Sequence, residues 1–210
     1  SAFGGAFPQQ GDVGTASYYG VGAYLRGLDD ARTSNLRFAT ECLAFSNIPA
    51  DSTLKRMPGG LATRVHHPGW KARSPRDLGA GWDFDDVRDH YMRALFDVDP
   101  MKLRYSDHER YLALGRMTTG EVMAASYAQW RTSGSKCQGA MVLFMRDLWA
   151  GAGWGVVDDA GVPKACYHYL TRSLQPTAVF LTDEGCNGLF AHVLNEGEEG
   201  RQVEFELKAW

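Results

Sequence analysis

Residues 137–145 read CQGAMVLFM, a nearly continuous apolar run set directly after a long helical pattern. Periodicity alone does not separate helix from strand in so short a run. Its length and its position after a helix favour a parallel strand buried on both faces. A second short strand is expected over residues 35–41 (NLRFATE), with Leu36, Phe38 and Thr40 at alternate positions. Strands separated by helices in this way predict an α/β fold.

The helices between them are signalled locally. Asp83 is a plausible N-cap, and Phe84, Val87, Tyr91 and Leu95 recur at helical spacing. A second helix is expected to open with the capping box Ser106-Asp107-His108-Glu109 and to run to about Arg131. Its predicted buried stripe is Tyr111, Leu114, Met117, Ala125 and Ala128. Residues 1–30, rich in glycine and small residues, read as a loop followed by a short amphipathic turn. Residues 50–80, rich in proline and glycine, read as a long irregular excursion. Pro163 stands where a helix would begin and Pro176 where it would stop. The tail then changes character. Residues 177–182, 189–195 and 202–208 read as three antiparallel strands, with Asn187-Gly188 as a hairpin turn. Domains are therefore expected at 1–175 and 176–210. Two convincing buried strands and an open-edged meander complete no layer architecture, so a fragment of something larger is expected.

Composition narrows the function classes. With 22 basic and 25 acidic residues the net charge is −3, too balanced for a chain held to nucleic acid mainly by charge. No apolar run approaches the roughly 20 residues of a membrane span, and the opening SAFGGAFPQQ lacks a signal-peptide pattern. Cys42, Cys137, Cys166 and Cys186 form no CxxC pair and read as reduced thiols, which favours the cytoplasm. His66, His67, His90 and His108 match no metal-binding spacing, and neither a metal nor a cofactor is expected.

Glu41 is the first candidate for chemistry, because a carboxylate ending a barrel strand is where such folds place catalysis. The bland alternative is a strand-end glutamate paired with a nearby arginine. Asp147 and Trp149 (MRDLW) form the second candidate: a sugar face can stack on the indole while its hydroxyls bond the carboxylate. The bland alternative there is an Arg146–Asp147 ion pair with Trp149 in the core. Cys42 could be a thiol nucleophile, though lone cysteines in apolar strands are usually inert. GAGWG at 151–155 fits neither phosphate-loop spacing and reads as a tight chain reversal.

RFATECLAFSNIP at 37–49 resembles the segment of glycoside hydrolase family 2, β-mannosidase branch, that reads RF-x-SEFG-x-x-S-x-P. GDVGTASYYGVGAYL is similar to that family's GD-x-HYW-x-x-W segment. YLALGRMTTGEVMAASYAQWR resembles its helix before the last barrel strand, and CQGAMVLFMRDLWAGAGWGVVDDAGVPK its closing C-x-G-x-L-x-W-Q-x-ND-x-WP segment with the PK that follows. The resemblance implies roughly the last two strands of a (β/α)8 barrel, then the start of a β-sandwich domain. It implies Glu41 as nucleophile, and Asp147, Trp149 and Tyr19 as substrate-site residues for a β-linked glycoside. It departs from the pattern at Cys42-Leu43 for Phe-Gly, at Ser17 for His, at Met145-Arg146-Asp147 for Gln-x-Asn-Asp and at Ala150 for Pro. The implied chemistry is retaining hydrolysis by two carboxylates. The family's acid/base follows an Asn on an earlier strand. The one Asn-Glu here, Asn195-Glu196, is in the tail, so the acid/base is expected in the remainder of a longer chain. The competing expectation is a non-catalytic remnant that binds glycan or a partner.

Overall fold

The computed structural model describes residues 10–208. Three short strands, β1 (Ala16–Tyr18), β2 (Ala39–Cys42) and β3 (Ala140–Val142), pair in the order β1-β2-β3, all parallel. Ser17 lies opposite Glu41, and Cys42 opposite both Tyr18 and Val142. The parallel α/β arrangement is thus present with three described strands, one more than the sequence reading identified as buried. β1 escaped because three residues flanked by a glycine-rich loop show no period. β3 is shorter and wetter than expected: Met141 and Met145 are exposed, since β3 has a neighbour on one side only.

The β1–β2 connection holds only α1 (Asp30–Thr33). The β2–β3 connection holds α2 (Asp51–Leu54), α3 (Pro68–Lys71), α4 (Phe84–Phe96), α5 (Pro100–Ser106) and α6 (His108–Trp130). α4 begins where expected. Asp83 Oδ1 accepts from the backbone N–H of Asp85 and Asp86, and Asp86 returns the bond to the Asp83 N–H, a complete capping box. Phe84, Val87 and Tyr91 are buried. The second helix corrects the sequence reading. Ser106 ends α5, a separate helix that Asp99 caps ahead of Pro100, and Asp107 is the residue that caps α6 through the Arg110 N–H. The buried face of α6 is also displaced. Met117 is exposed, whereas Gly115, Thr118, Thr119, Val122, Met123 and Ser126 are buried with Tyr111 and Trp130. Small residues occupy that face because neighbours come close: a Cβ on Gly120 would meet the Tyr169 ring at 2.4 Å.

α7 (Ala165–Ser173) leads into an antiparallel hairpin, β4 (Thr177–Asp183) and β5 (Leu189–Asn195). Pro163 lies two residues ahead of α7, and Lys164 occupies its N-cap position. The Asn-Gly turn signal holds in part: the strands are joined by a 3-10 turn over Gly185–Asn187, with Gly188 at φ 93°. No strand forms over 202–208; Val203, Phe205 and Leu207 are exposed. Alternation supplies a face but not a ladder partner, and none of the described strands offers one. Arg131 docks the hairpin on α6: it donates to the carbonyls of Ser173 and Gln175, pairs with Glu196 at 2.8 Å and lies over the Phe180 ring.

The core has two parts. In one, Ala39, Cys42 and Phe45 meet Phe84, Val87 and Tyr91 of α4 and Val122, Met123 and Trp130 of α6. In the other, Ile48, Leu54, Val65 and Trp70 meet Met92, Tyr111 and Leu112. A buried charged network joins α4, α5 and α6. Arg88, fully buried, donates to Asp85 at 2.6 Å, to the Tyr111 hydroxyl at 2.7 Å and to the Ser46 carbonyl at 3.1 Å. Tyr111 donates to Asp89 at 2.7 Å, which Arg104 pairs at 2.6 Å. Trp70 and Ser46 donate to Asp85. No described helix is long and apolar enough to cross a membrane.

Removing one member of a buried ionic network leaves the others uncompensated. Arg88→Met should therefore cost about 3–5 kcal/mol in urea unfolding. A loss below about 1 kcal/mol would show that this network does not hold the helices to the sheet.

Candidate active site

Parallel strands put their C-terminal ends on one side of a sheet, and three of the residues in question follow from that. Tyr19 comes directly after β1, Glu41 is the third residue of β2, and Phe144 is the second residue past β3. The Tyr19 hydroxyl donates to Glu41 Oε2 at 2.7 Å, and Ser17 Oγ lies 3.4 Å from Oε1. Burial and the neighbouring Glu41 carboxylate push the Tyr19 phenol well above its ordinary range, with Asp77 adding to the effect. Tyr19 is therefore a standing donor, and Glu41 is held by donors on both oxygens. The structure brings Glu41 and Tyr19 together as one unit. Ser17 and Tyr19 are thus two of the groups that orient this carboxylate.

Backbone geometry past Glu41 is unusual. Leu43 is fully buried with φ 55°, the left-handed region that a branched side chain rarely adopts. Residues 43–48 then run buried without regular structure, so their polar groups need partners. Ser46 finds Asp85 and the Ala152 carbonyl. The Asn47 N–H finds the Gly153 carbonyl, and Asn47 Nδ2 that of Trp154. Lys164, only 2% exposed, donates to the Asn47 carbonyl at 2.9 Å.

Asp147 and Trp149 are placed differently from one another. Asp147 is 6% exposed. It pairs with Lys164 at 2.5 Å and accepts the Gly155 N–H at 2.7 Å. Burial raises its pKa against the pull of Lys164, and lowers that of Lys164 against the pull of Asp147. The partner expected from sequence, Arg146, instead donates to the Asp159 carbonyl. Gly155 is required where it stands: a Cβ there would sit 2.5 Å from the Asp147 nitrogen. Trp149 is half exposed and not in the core. It lines a groove of about 350 Å³ with Phe144, Leu148, Trp154, Pro75, Arg73 and Arg76. Trp154 stacks edge-on against Phe144 and Phe84. Leu143 donates its N–H to the Cys42 carbonyl, which ties the start of the segment carrying Phe144 to the end of β2. Sequence reasoning missed Ser17, Trp154 and the two arginines. Arg73 and Arg76 sit in the irregular excursion, where no period marks a facing side.

Cys42 is fully buried and donates to the Met141 carbonyl, and burial drives its thiol well up. That removes the thiol-nucleophile expectation. His66, Asp83 and Asp86 place three possible ligand atoms within 4.8 Å of one another. There the carboxylates cap α4 and pair with His66, whose pKa the Asp83 contact raises.

Active sites of parallel α/β barrels lie at the C-terminal ends of their strands, which is where Glu41 and Tyr19 stand. By sequence, part of the chain is similar to curated β-mannosidases, and its fold is similar to that of a solved β-mannosidase. It is 31% identical to β-mannosidase B of Aspergillus niger over 101 residues, which is 46% of this chain and 12% of that protein. It is 30% identical to β-mannosidase B of Aspergillus terreus over 129 residues, 60% of this chain and 15% of that one. The crystal structure of β-D-mannosidase from Dictyoglomus thermophilum superposes with a TM-score of 0.75 at 17% identity, covering 92% of this chain and 22% of that chain. No protein-family model matches. The matched stretch is thus a small part of each relative's length.

Two measurements check the site's local chemistry. Leu43→Ala and Leu43→Gly both open a cavity and should destabilise by about 2–5 kcal/mol. The glycine variant should be the less damaged by about 1 kcal/mol, because it alone relieves the left-handed backbone; the reverse order would contradict that account. In native thiol titration with a disulfide reagent, the exposed Cys186 should react first, and Cys42 and Cys166 only on unfolding. Native labelling of Cys42 as fast as Cys186 would bring back the thiol reading.

Proposed function

We propose that this chain carries the nucleophile half of a retaining β-mannosidase, with Glu41 as the nucleophile. The observation that carries the reading is the Tyr19–Glu41 pair at the C-terminal ends of adjacent parallel strands, Oη to Oε2 at 2.7 Å. In this reading residues 1–175 are the closing part of a (β/α)8 barrel, and residues 176–210 begin a β-sandwich domain. Glu41 attacks the anomeric carbon, and the aglycone oxygen leaves as it takes a proton from a second carboxylic acid about 5 Å away. Water, deprotonated by that same carboxylate, then hydrolyses the glycosyl ester. Tyr19 holds the attacking oxygen in line and returns a hydrogen bond to it as the ester breaks. Trp149 and Phe144 offer flat apolar faces to the sugar beyond the scissile bond. Asp147 acts through the loop: paired to Lys164, it fixes the turn that carries Trp149 and Trp154. The acid/base is supplied by the rest of the barrel. Glu196, the one glutamate after an asparagine, is engaged with Arg131 on the hairpin.

The test uses the full-length protein and an aryl β-mannoside. Glu41→Ala should lower kcat by at least about a thousandfold. Added azide should restore aglycone release and yield the α-mannosyl azide. Tyr19→Phe should lower kcat about tenfold, as loss of one positioning hydrogen bond would. Turnover by Glu41→Ala within tenfold of wild type overturns the assignment and favours the non-catalytic reading.

A further inference from the structure

We propose that the aromatic groove formed by the loop after β3 and the segment carrying Arg73 and Arg76 selects a saccharide bearing a negative charge, a uronic-acid carboxylate on the ring next to the mannoside, bound by those two arginines. The proposal rests on the glycosidase reading for the groove's place in the reaction, and on the groove's own charge for the rest. The groove's aromatic walls, Phe144, Trp149 and Trp154, suit a sugar face. Its cations do not follow from that need. Arg73 and Arg76 both line it, and among the described residues neither guanidinium is held by an ion pair or a side-chain hydrogen bond. The single acidic side chain in the lining, Asp147, is already matched by Lys164 at 2.5 Å. Asp77, next along the chain, lies near enough to Tyr19 to bear on its phenol. The lining is therefore cationic, with two planar donor forks that fit a carboxylate.

The position of Arg73 is also fixed by packing. A Cβ on Gly151 would fall 2.5 Å from the Arg73 carbonyl oxygen and 2.8 Å from its Cβ. The loop after β3 and the strap carrying the arginines thus touch at a point where only glycine fits. Pro75 accepts the Phe84 N–H, and Phe84 in turn meets the edge of Trp154. Strap, helix start and groove wall are one packed unit, which holds the arginines at the mouth instead of leaving them on a free loop.

The experiment compares three β-mannosyl disaccharides on the full-length protein, identical but for a hydroxymethyl, a carboxylate or a sulfate ester at C6 of the reducing-end ring. Wild type should show kcat/KM about tenfold higher for the carboxylate than for the neutral sugar, with the ratio falling as salt rises. The Arg73→Gln/Arg76→Gln double variant should bring that ratio close to one. Because Arg73 contributes packing, the exposed Arg76→Gln alone serves as a second variant and should reduce the ratio severalfold. Equal kcat/KM for charged and neutral sugars in wild type overturns the proposal, as does a ratio unmoved by both variants. Preference for the sulfate over the carboxylate overturns the uronic-acid assignment. If no disaccharide is hydrolysed, the glycosidase reading fails by itself. Calorimetric binding of the same three sugars then decides the groove: tighter binding of the carboxylate supports the proposal, and equal affinities overturn it.

Discussion

Arg88 has no exposed surface, and the segments that surround β2 are arranged to satisfy it. A buried guanidinium is tolerable only when its counter-charges are present and correctly placed. Asp85 lies one turn before it on α4, Asp89 is the next residue, and Tyr111 reaches in from α6. Arg104 balances the second carboxylate, so two cations face two anions with a tyrosine ring between them. The network cannot assemble until α4, α5, α6 and the Ser46 carbonyl are all in place. It therefore specifies how the helices meet the sheet more than it adds to stability, since an apolar replacement of the whole set could pack as well.

Ser46 and Asn47 pass that constraint on to the site. They follow Glu41 by only five and six residues, in a buried stretch that makes no sheet ladder. Ser46 is tied to the α4 network and Asn47 to the loop after β3. The strand carrying Glu41 is thus anchored on one side by Arg88 and on the other by Lys164. The left-handed Leu43 is the bend that lets the chain leave β2 and reach both anchors. Strain in one backbone residue, of order 1–3 kcal/mol, persists only when its surroundings over-determine it, and here two buried polar networks do so.

What the sequence disclosed follows the range of the interactions involved. Asp83 and the Phe84, Val87, Tyr91 stripe were legible because cap and period are local. Glu41 was legible because its neighbours RFAT and CLAF are apolar and because the segment resembles a known motif. The α6 face was misread for a physical reason: close packing puts Gly115, Thr118 and Ser126 inward and leaves Met117 outside, so hydrophobicity points the wrong way. The capping box read at Ser106 was misplaced by one residue, because the separate helix started at Pro100 takes in Ser106 and leaves Asp107 to cap α6. The pairing of Asp147 with Lys164, and the meeting of Arg73 with Gly151, join positions far apart in sequence by close contact, which no periodicity encodes.

The Lys164–Asp147 pair has a further consequence for recognition. Asp147 is the residue that sequence order offers as a sugar ligand, yet its carboxylate is consumed in holding the turn at Gly155. In the proposed reading, recognition in this groove falls to groups not already satisfied, namely the indole of Trp149 and the guanidinium groups of Arg73 and Arg76. Were Lys164 absent, the buried Asp147 would be driven toward its neutral form and the turn would lose its anchor, so the lysine holds the shape of the groove while Arg73 and Arg76 set its charge. The strand that presents Glu41 and the strap that presents the arginines are fixed by different contacts, so under the proposed reading the charge of the groove can change without disturbing Glu41.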